Sequence, residues 1–71
     1  MNMIDWMQLV NNLRHDYKSL ATIARELGST ERHLNRLARG DVQEPKFNTG
    51  LKLLDLHLDK CGIEKHRGLV I

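Results

Sequence analysis

Residues 20–37 read LATIARELGSTERHLNRL and contain two helical patterns separated by a short break. The first pattern repeats apolar residues at helical spacing, and Ser19 before it offers a side-chain oxygen that can cap the first amides of a helix. Gly28 then supplies the left-handed conformation in which many helices end. Thr30 is a good N-cap for the second pattern, which we expect to stop at Gly40. The sequence therefore predicts two helices joined by a tight turn.

The same stretch meets the spacing requirements of a DNA-binding helix-turn-helix. Such a motif needs a small residue where its helices cross, and Ala24 is one. Four positions later the turn needs a positive φ, which Gly28 adopts without steric cost. Apolar residues from both helices must fix their crossing angle, and the chain offers Ile23, Leu27, Leu34 and Leu37.

The outward face of the second helix is where we expect base recognition. At 100° per residue, an arc of roughly 140° lies opposite the apolar residues, and it contains Glu31, Arg32, Asn35, Arg36 and Arg39. Arginine donates two hydrogen bonds to guanine, asparagine pairs with adenine and glutamate accepts from cytosine. The alternative interpretation is a solvated helix face, because exposed helices commonly carry such residues. The preceding turn favours recognition, and we predict base reading by Glu31, Arg32, Asn35 and Arg36.

From Leu20 to Phe47 the chain resembles the Cro/CI-type helix-turn-helix of lambdoid phage repressors and of many small bacterial regulators. The resemblance extends past the motif to Gly40, Pro45 and Phe47 in the segment GDVQEPKF, which is similar to the loop between helices 3 and 4 in the shorter phage proteins. It implies a loop that approaches the DNA backbone, with the proline and the phenylalanine seating it on the core.

The resemblance also assigns residues to roles. The base-reading positions of the family fall on Glu31, Arg32 and Arg36, and its N-cap and phosphate positions fall on Ser19, Thr30 and Lys46. Together with nearby basic residues, the expected DNA-backbone set is Lys18, Ser19, Thr30, Arg39 and Lys46. His33, at the edge of the helix, is either a packing or solvent residue or a further backbone contact.

Two features of the sequence depart from the family pattern. Leu20 stands where many members have a glutamine that contacts phosphate, and Lys18, the Ser19 hydroxyl or the N-terminus of the helix can serve instead. Asp41 and Glu44 make the loop acidic where a phosphate-facing loop prefers lysine or arginine. We therefore expect the phosphate contacts of this loop to be limited to backbone N–H groups and Lys46, which gives binding a shallower dependence on salt.

The flanking segments complete an all-α fold, a compact bundle of four to five short helices of the lambda-repressor-like type. A first helix from Asp5 to about His15 is expected to anchor Trp6 in the core, and residues 15–18 to connect it to the second. After residues 41–46, Asn48 or Thr49 is expected to cap a fourth helix that ends near Leu58. We expect the domain to span residues 1–60, with residues 61–71 forming a short helix or an extended dimerisation arm.

The fourth helix carries leucines on two sides. Leu51, Leu54 and Leu58 form one stripe that is expected to pack inward beside Phe47. Leu53 and Leu56 fall nearly opposite, where they are either tolerated exposed leucines or a self-association surface. We predict the second, a homodimer contact through Leu53 and Leu56, which Ile63, Leu69, Val70 and Ile71 could extend.

Composition excludes several classes of function. The 71 residues are 41% hydrophobic and 28% charged with a net charge of +2, which permits a nucleic-acid partner. A lone Cys61 favours a reducing compartment, and without an apolar run or a basic leader we expect a cytoplasmic protein. No catalytic constellation can be assembled, so we expect no enzyme. His57, Cys61 and His66 are too few for a structural zinc site, and we expect no metal, cofactor or small-molecule ligand.

The function expected from the sequence is a Cro-like transcriptional repressor of phage or prophage type. A homodimer would place the third helix of each copy in the major groove of a palindromic operator, with half-site centres ~34 Å apart. The alternative is a protein-interaction module of the same fold, antitoxin-like or an adaptor, with weak or no DNA binding. The acidic loop and the leucine-rich fourth helix fit that class.

Overall fold

A computed structural model describes residues 3–70 of the chain, and these residues form an all-α fold of five helices with no strand. The helices pack within 28 × 22 × 20 Å. The predicted all-α class is thereby confirmed. In chain order the helices are α1, Trp6–Asp16; α2, Leu20–Leu27; α3, Glu31–Arg39; α4, Phe47–Cys61; and α5, Ile63–Arg67.

The core forms around α1, which packs against both α3 and α4. Each of these helices presents apolar residues at intervals of three or four, so that one face of each can be buried. Trp6 is half-buried and packs against this core, as predicted. The apolar residues with no more than 1% of their surface exposed are Leu9, Val10, Leu13, Ile23, Leu34, Leu37, Leu53 and Leu69.

Local capping signals explain where α2 and α3 begin and end. The Ser19 hydroxyl accepts a hydrogen bond from the Thr22 N–H (3.4 Å), and the Thr30 hydroxyl accepts one from the His33 N–H (3.1 Å). Gly28 and Gly40 close the two helices in the left-handed conformation, with φ of 70° and 80°. The ends predicted for α2 and α3 are therefore confirmed.

The start and the length of α4 differ from the prediction. Phe47 is already helical, and Lys46 occupies the N-cap position without a side-chain cap bond, so neither Asn48 nor Thr49 caps the helix. The helix continues past Leu58 to Cys61, because the break falls at Gly62, where φ is 92°. A positive φ of this kind favours glycine and interrupts the helix before α5.

The buried face of α4 is not the predicted one, and only Leu54 of the predicted stripe packs partly buried against the core. Leu53 is 0% exposed, whereas Leu51 and Leu58 are 48% and 42% exposed. The buried stripe runs through Gly50, Leu53 and His57, at positions i, i+3 and i+7. Gly50 allows this approach, because a Cβ there would lie 3.2 Å from the ring of Trp6.

This geometry corrects the predicted dimer contact through Leu53 and Leu56. Leu53 belongs to the core, and Leu56 is half-buried against it, so the two do not form an outward surface. Phe47 also differs from its predicted position. The resemblance places it on the core, but its side chain is 77% exposed.

The segment after α4 belongs to the folded body. α5 is the short helix that the sequence left as one of two possibilities, and Leu69 after it is buried. The Asp5 N–H donates to the Leu69 carbonyl (2.7 Å), and Ile4 pairs with Val70 in an isolated antiparallel bridge. Ile71, which was expected to extend a dimer surface, lies outside the described residues.

Candidate nucleic-acid interface

The connection between α2 and α3 is a fixed turn. The Gly28 N–H donates to the carbonyls at the end of α2, and the Ser29 N–H donates to the Ala24 carbonyl (2.9 Å). Ala24 is buried, as the predicted close approach at this position requires. Only Gly28, Ser29 and Thr30 lie between the two helices. The turn therefore fixes where α3 begins and which of its faces is turned outward.

The outward face of α3 is polar, as predicted. Leu34 and Leu37 are buried, while the opposite arc is exposed at Glu31, Arg32, Arg36 and Arg39 and half-buried at Asn35. Within residues 3–70, neither Arg32 nor Arg36 forms a salt bridge. Arg39 does, because its Nε lies 3.2 Å from Oδ2 of Asp41. The two unpaired guanidinium groups keep all their donors for an outside ligand.

Lys18 is engaged within the protein. Its Nζ lies 3.1 Å from Oε1 of Glu26 and 4.9 Å from the ring centroid of Tyr17. The hydrogen bond to Glu26 raises the pKa of Lys18 above its ordinary value. Lys18, which the sequence assigns to the DNA backbone, therefore already has an anionic partner. Helical spacing does not indicate this pair, because Lys18 and Glu26 are eight residues apart.

A polar hollow of about 360 Å³ lies where the turn meets the start of α4; it is lined by Gly28, Ser29, Thr30, His33, Lys46 and Thr49. Lys46 takes part in no salt bridge among the described residues. Nε2 of His33 is buried and has no hydrogen-bond partner in the described part of the chain. The Thr30 hydroxyl accepts from the His33 N–H and keeps its own proton to donate.

The hollow suits a phosphate oxygen. Lys46 supplies a positive charge, and the N-terminus of α3 supplies the positive end of a helix dipole at the same place. Thr30 and Lys46 were expected on the DNA backbone, and the hollow brings them together. His33 joins them because it lies three residues after the N-cap Thr30, on the same side of the helix. This spacing is the signal in the sequence that could have placed His33 beside Thr30.

The histidines near the chain's end form a separate cluster. His57 is fully buried, with Nε2 3.1 Å from Nδ2 of Asn12 and Nδ1 3.1 Å from Nδ1 of His66. Among residues 3–70, no group of three or more His, Cys, Asp or Glu side chains is placed to hold a metal ion. His57 is part of the core, although the spacing of the leucines in α4 does not indicate it.

No family model, curated protein or solved structure matches the chain. The resemblance to Cro/CI-type proteins therefore stays a hypothesis that rests on residues 20–47 themselves. No helix between residues 3 and 70 has the length and apolar character needed to cross a membrane.

Proposed function

We propose that the protein is a sequence-specific double-stranded DNA-binding regulator of transcription, in which α2, the turn and α3 act as a helix-turn-helix. One observation carries this proposal. Arg32 and Arg36 extend from one exposed face of α3 without an ion-pair partner among residues 3–70, directly after a turn that Gly28 locks. An unpaired pair of arginines on a rigidly held helix is the surface that guanine recognition in the major groove requires.

Base reading is assigned to the arc of α3. Arg32 and Arg36 each donate to O6 and N7 of a guanine, and Glu31, at the first turn, accepts from a cytosine amino group. Asn35 is half-buried between them and contributes an adenine contact from a more restricted position. N-terminal residues of a recognition helix contact base edges, and Glu31 and Arg32 are the first two residues of α3.

Backbone contacts are assigned chiefly to the hollow beside the turn. Lys46 and the Thr30 hydroxyl hold one phosphate. Arg39 can contact a neighbouring phosphate when its salt bridge with Asp41 is replaced by one with the phosphate. Ser19 and Lys18 contribute less, because the Ser19 hydroxyl is bonded to Thr22 and Lys18 is paired with Glu26.

The proposed regulator acts as a homodimer on a palindromic operator and represses by excluding polymerase from the DNA. Two copies related by a two-fold axis present two α3 helices, and half-site centres ~34 Å apart place both on one side of the duplex. A repressor of this Cro-like kind, of phage or prophage origin, would act in the cytoplasm.

A protein-interaction module, antitoxin-like or an adaptor, is the second candidate function. The exposed apolar side chains of Phe47 and Leu51 favour it, since large exposed apolar patches mark sites of protein contact. The two candidates differ in their response to salt. DNA binding through phosphates weakens with a log–log slope of about −0.9 for each phosphate contacted, and a pure interaction module has no such dependence.

Selection of bound sequences from a random DNA pool tests the proposal. We expect enrichment of a palindrome with guanines at fixed positions in each half-site. The double variant R32A/R36A should lose this enrichment, while R14A/R67A, which removes the same charge from α1 and α5, should retain it. Failure of the wild type to bind any duplex at low salt would overturn the proposal in favour of the interaction module.

A further inference from the structure

An apolar groove of about 470 Å³ lies between the start of α1, the loop before α4 and the first turns of α4. Trp6, Pro45 and Leu54, all partly buried, line its interior. Phe47, Met3 and Leu51 line it as well and stay 77%, 56% and 48% exposed. Glu44 is the one charged residue among those of the described chain that line the groove.

The exposure of Phe47 is costly for a chain that stays alone. A phenylalanine buries about 150–250 Å² when it is covered, and most of that area is in water here. With Met3 and Leu51 beside it, Phe47 forms an exposed apolar patch, and such a patch on a small protein is often a functional contact. No segment between residues 3 and 70 covers it.

We propose that this groove docks a second copy of the chain, so that each Phe47 enters the groove of its partner. The assignment rests on the proposed function in one respect, which is that a palindromic operator needs two copies. A two-fold contact uses the same patch on both copies, so that patch has to offer a projection and a recess together. Phe47 is the projection, and the space over Trp6 and Pro45 is the recess beside it.

The size of the patch sets the strength of the dimer. A standard interface buries about 800 Å² on each partner, which is about a sixth of the 4859 Å² that this chain exposes. The apolar groove provides a part of that area, and polar residues at its rim must provide the rest. A contact of this size suits a weak dimer that is reinforced when both copies sit on DNA.

The groove and the phosphate hollow are compatible with simultaneous use. No residue lines both of them, although both border the start of α4. Lys46 belongs to the hollow, and its neighbours Pro45 and Phe47 belong to the groove. Docking a copy in the groove therefore leaves the phosphate hollow open.

Sedimentation equilibrium from micromolar to millimolar concentration tests the proposal. We expect the wild type to dimerise and the double variant F47Q/L51Q to dimerise at least tenfold more weakly. The control is L58Q/I63Q, which removes two aliphatic side chains outside the groove that are 42% and 56% exposed, and it should leave the dimer unchanged. Circular dichroism should give the same helicity for all three proteins, because none of the four residues is buried.

Trp6 provides a second readout, because it is the one tryptophan of the chain and lies in the groove. Its emission should shift to shorter wavelength as the wild type dimerises, and the F47Q/L51Q variant should show no such shift. A wild type that stays monomeric to millimolar concentration leaves the groove to a partner of another sequence and overturns the proposal. So does an F47Q/L51Q variant that dimerises as tightly as the wild type. A wild type that dimerises through the groove but binds no DNA supports the dimer and overturns the proposed function alone.

Discussion

The imidazoles of His57 and His66 contact each other through their Nδ1 atoms, which lie 3.1 Å apart. On its other side, Nε2 of the buried His57 faces the amide nitrogen of Asn12, a group that can only donate. Nε2 of His57 is therefore the acceptor, its proton sits on Nδ1, and that proton is donated to His66. One hydrogen bond joins the two rings, and together with Asn12 they link α1, α4 and α5.

Acid should weaken the fold through this pair. Burial, reinforced by His66 and Lys65 and opposed by Asp16, lowers the pKa of His57 below its ordinary value of 6.5. The unfolded chain then takes up protons more readily than the folded chain, and stability falls as pH drops from 7 towards 5. If the pKa of His57 is one unit lower in the folded chain than in the unfolded chain, the free energy of unfolding falls by about 1.4 kcal/mol once the pH is below both values. Urea unfolding at a series of pH values measures the effect.

The matched variants are H66Q and H15Q. The side chain of His15 is 86% exposed, so H15Q should keep most of the loss of stability between pH 7 and 5. H66Q replaces one ring of the pair and should reduce that loss, because the charge that opposes protonation of His57 is removed. An identical pH profile in H66Q and the wild type would contradict the role of the pair.

A second acid transition should involve Asp16. Hydrogen bonds from His15 and Lys65 lower the pKa of Asp16 from 3.8 to about 2. Because the folded pKa lies below the ordinary value, the stabilisation is present above pH 4 and is lost as pH falls towards 2. D16N should therefore flatten this part of the pH profile, and amide exchange should show faster opening of α5. D59N, which changes a carboxylate whose side chain is 70% exposed, is the control and should leave both unchanged.

The corrected face of α4 predicts unequal effects of two leucine substitutions. Leu53→Ala should destabilise the protein by about 2–5 kcal/mol, because it leaves a cavity in a fully buried site. Leu58→Ala, at a position 42% exposed, should lower the free energy of unfolding much less. Thermal unfolding measures both. If Leu53→Ala fails to fold, Leu53→Met keeps most of the volume and should stay within about 1.5 kcal/mol of the wild type. Equal losses of unfolding free energy at Leu53 and Leu58 would contradict the buried face of α4 that contains Leu53.

The ends of α2 and α3 could be predicted because their signals are local. Ser19 and Thr30 bond amides three residues ahead, and Gly28 and Gly40 adopt a backbone angle that other residues resist. The polar arc of α3 follows in the same way. Once the helix is placed, its geometry alone sets Arg32 and Arg36 opposite the buried Leu34.

The face of α4 could not be predicted, because it is decided by residues that are distant in sequence. Five leucines between residues 51 and 58 leave the apolar pattern ambiguous. The choice depends on Gly50, which admits the ring of Trp6, and on His57, whose polar ring is satisfied by Asn12 and His66. Because the buried stripe contains His57, its sequence is less apolar than that of the predicted stripe through Leu51, Leu54 and Leu58. The ion pair between Lys18 and Glu26 could not be predicted for a similar reason. The two residues come together only because the chain turns at Tyr17, whose hydroxyl also donates to Glu26.

The proposed DNA contacts predict different behaviour for Arg36 and Lys46. Arg36 is exposed on α3, so Arg36→Ala should leave the melting temperature nearly unchanged. If Arg36 donates to a guanine, its loss should cost about 1–3 kcal/mol on the preferred operator and relax selectivity at one position of each half-site. Lys46→Ala should instead weaken binding to all duplexes alike and lower the salt slope by about one phosphate contact.

The contrast between Arg36→Ala and Lys46→Ala is what carries the test, because each variant removes one positive charge. Nonspecific attraction to a polyanion would make the two variants weaken operator and random DNA to the same extent. Lys52→Ala controls for charge on α4, since Lys52 is held by the Leu27 carbonyl at the end of α2 and lines no part of the phosphate hollow. It should change neither selectivity nor the salt slope. Loss of affinity in Arg36→Ala that is equal on operator and random duplexes would contradict base reading by α3, because a side chain that reads a guanine has to discriminate between the two.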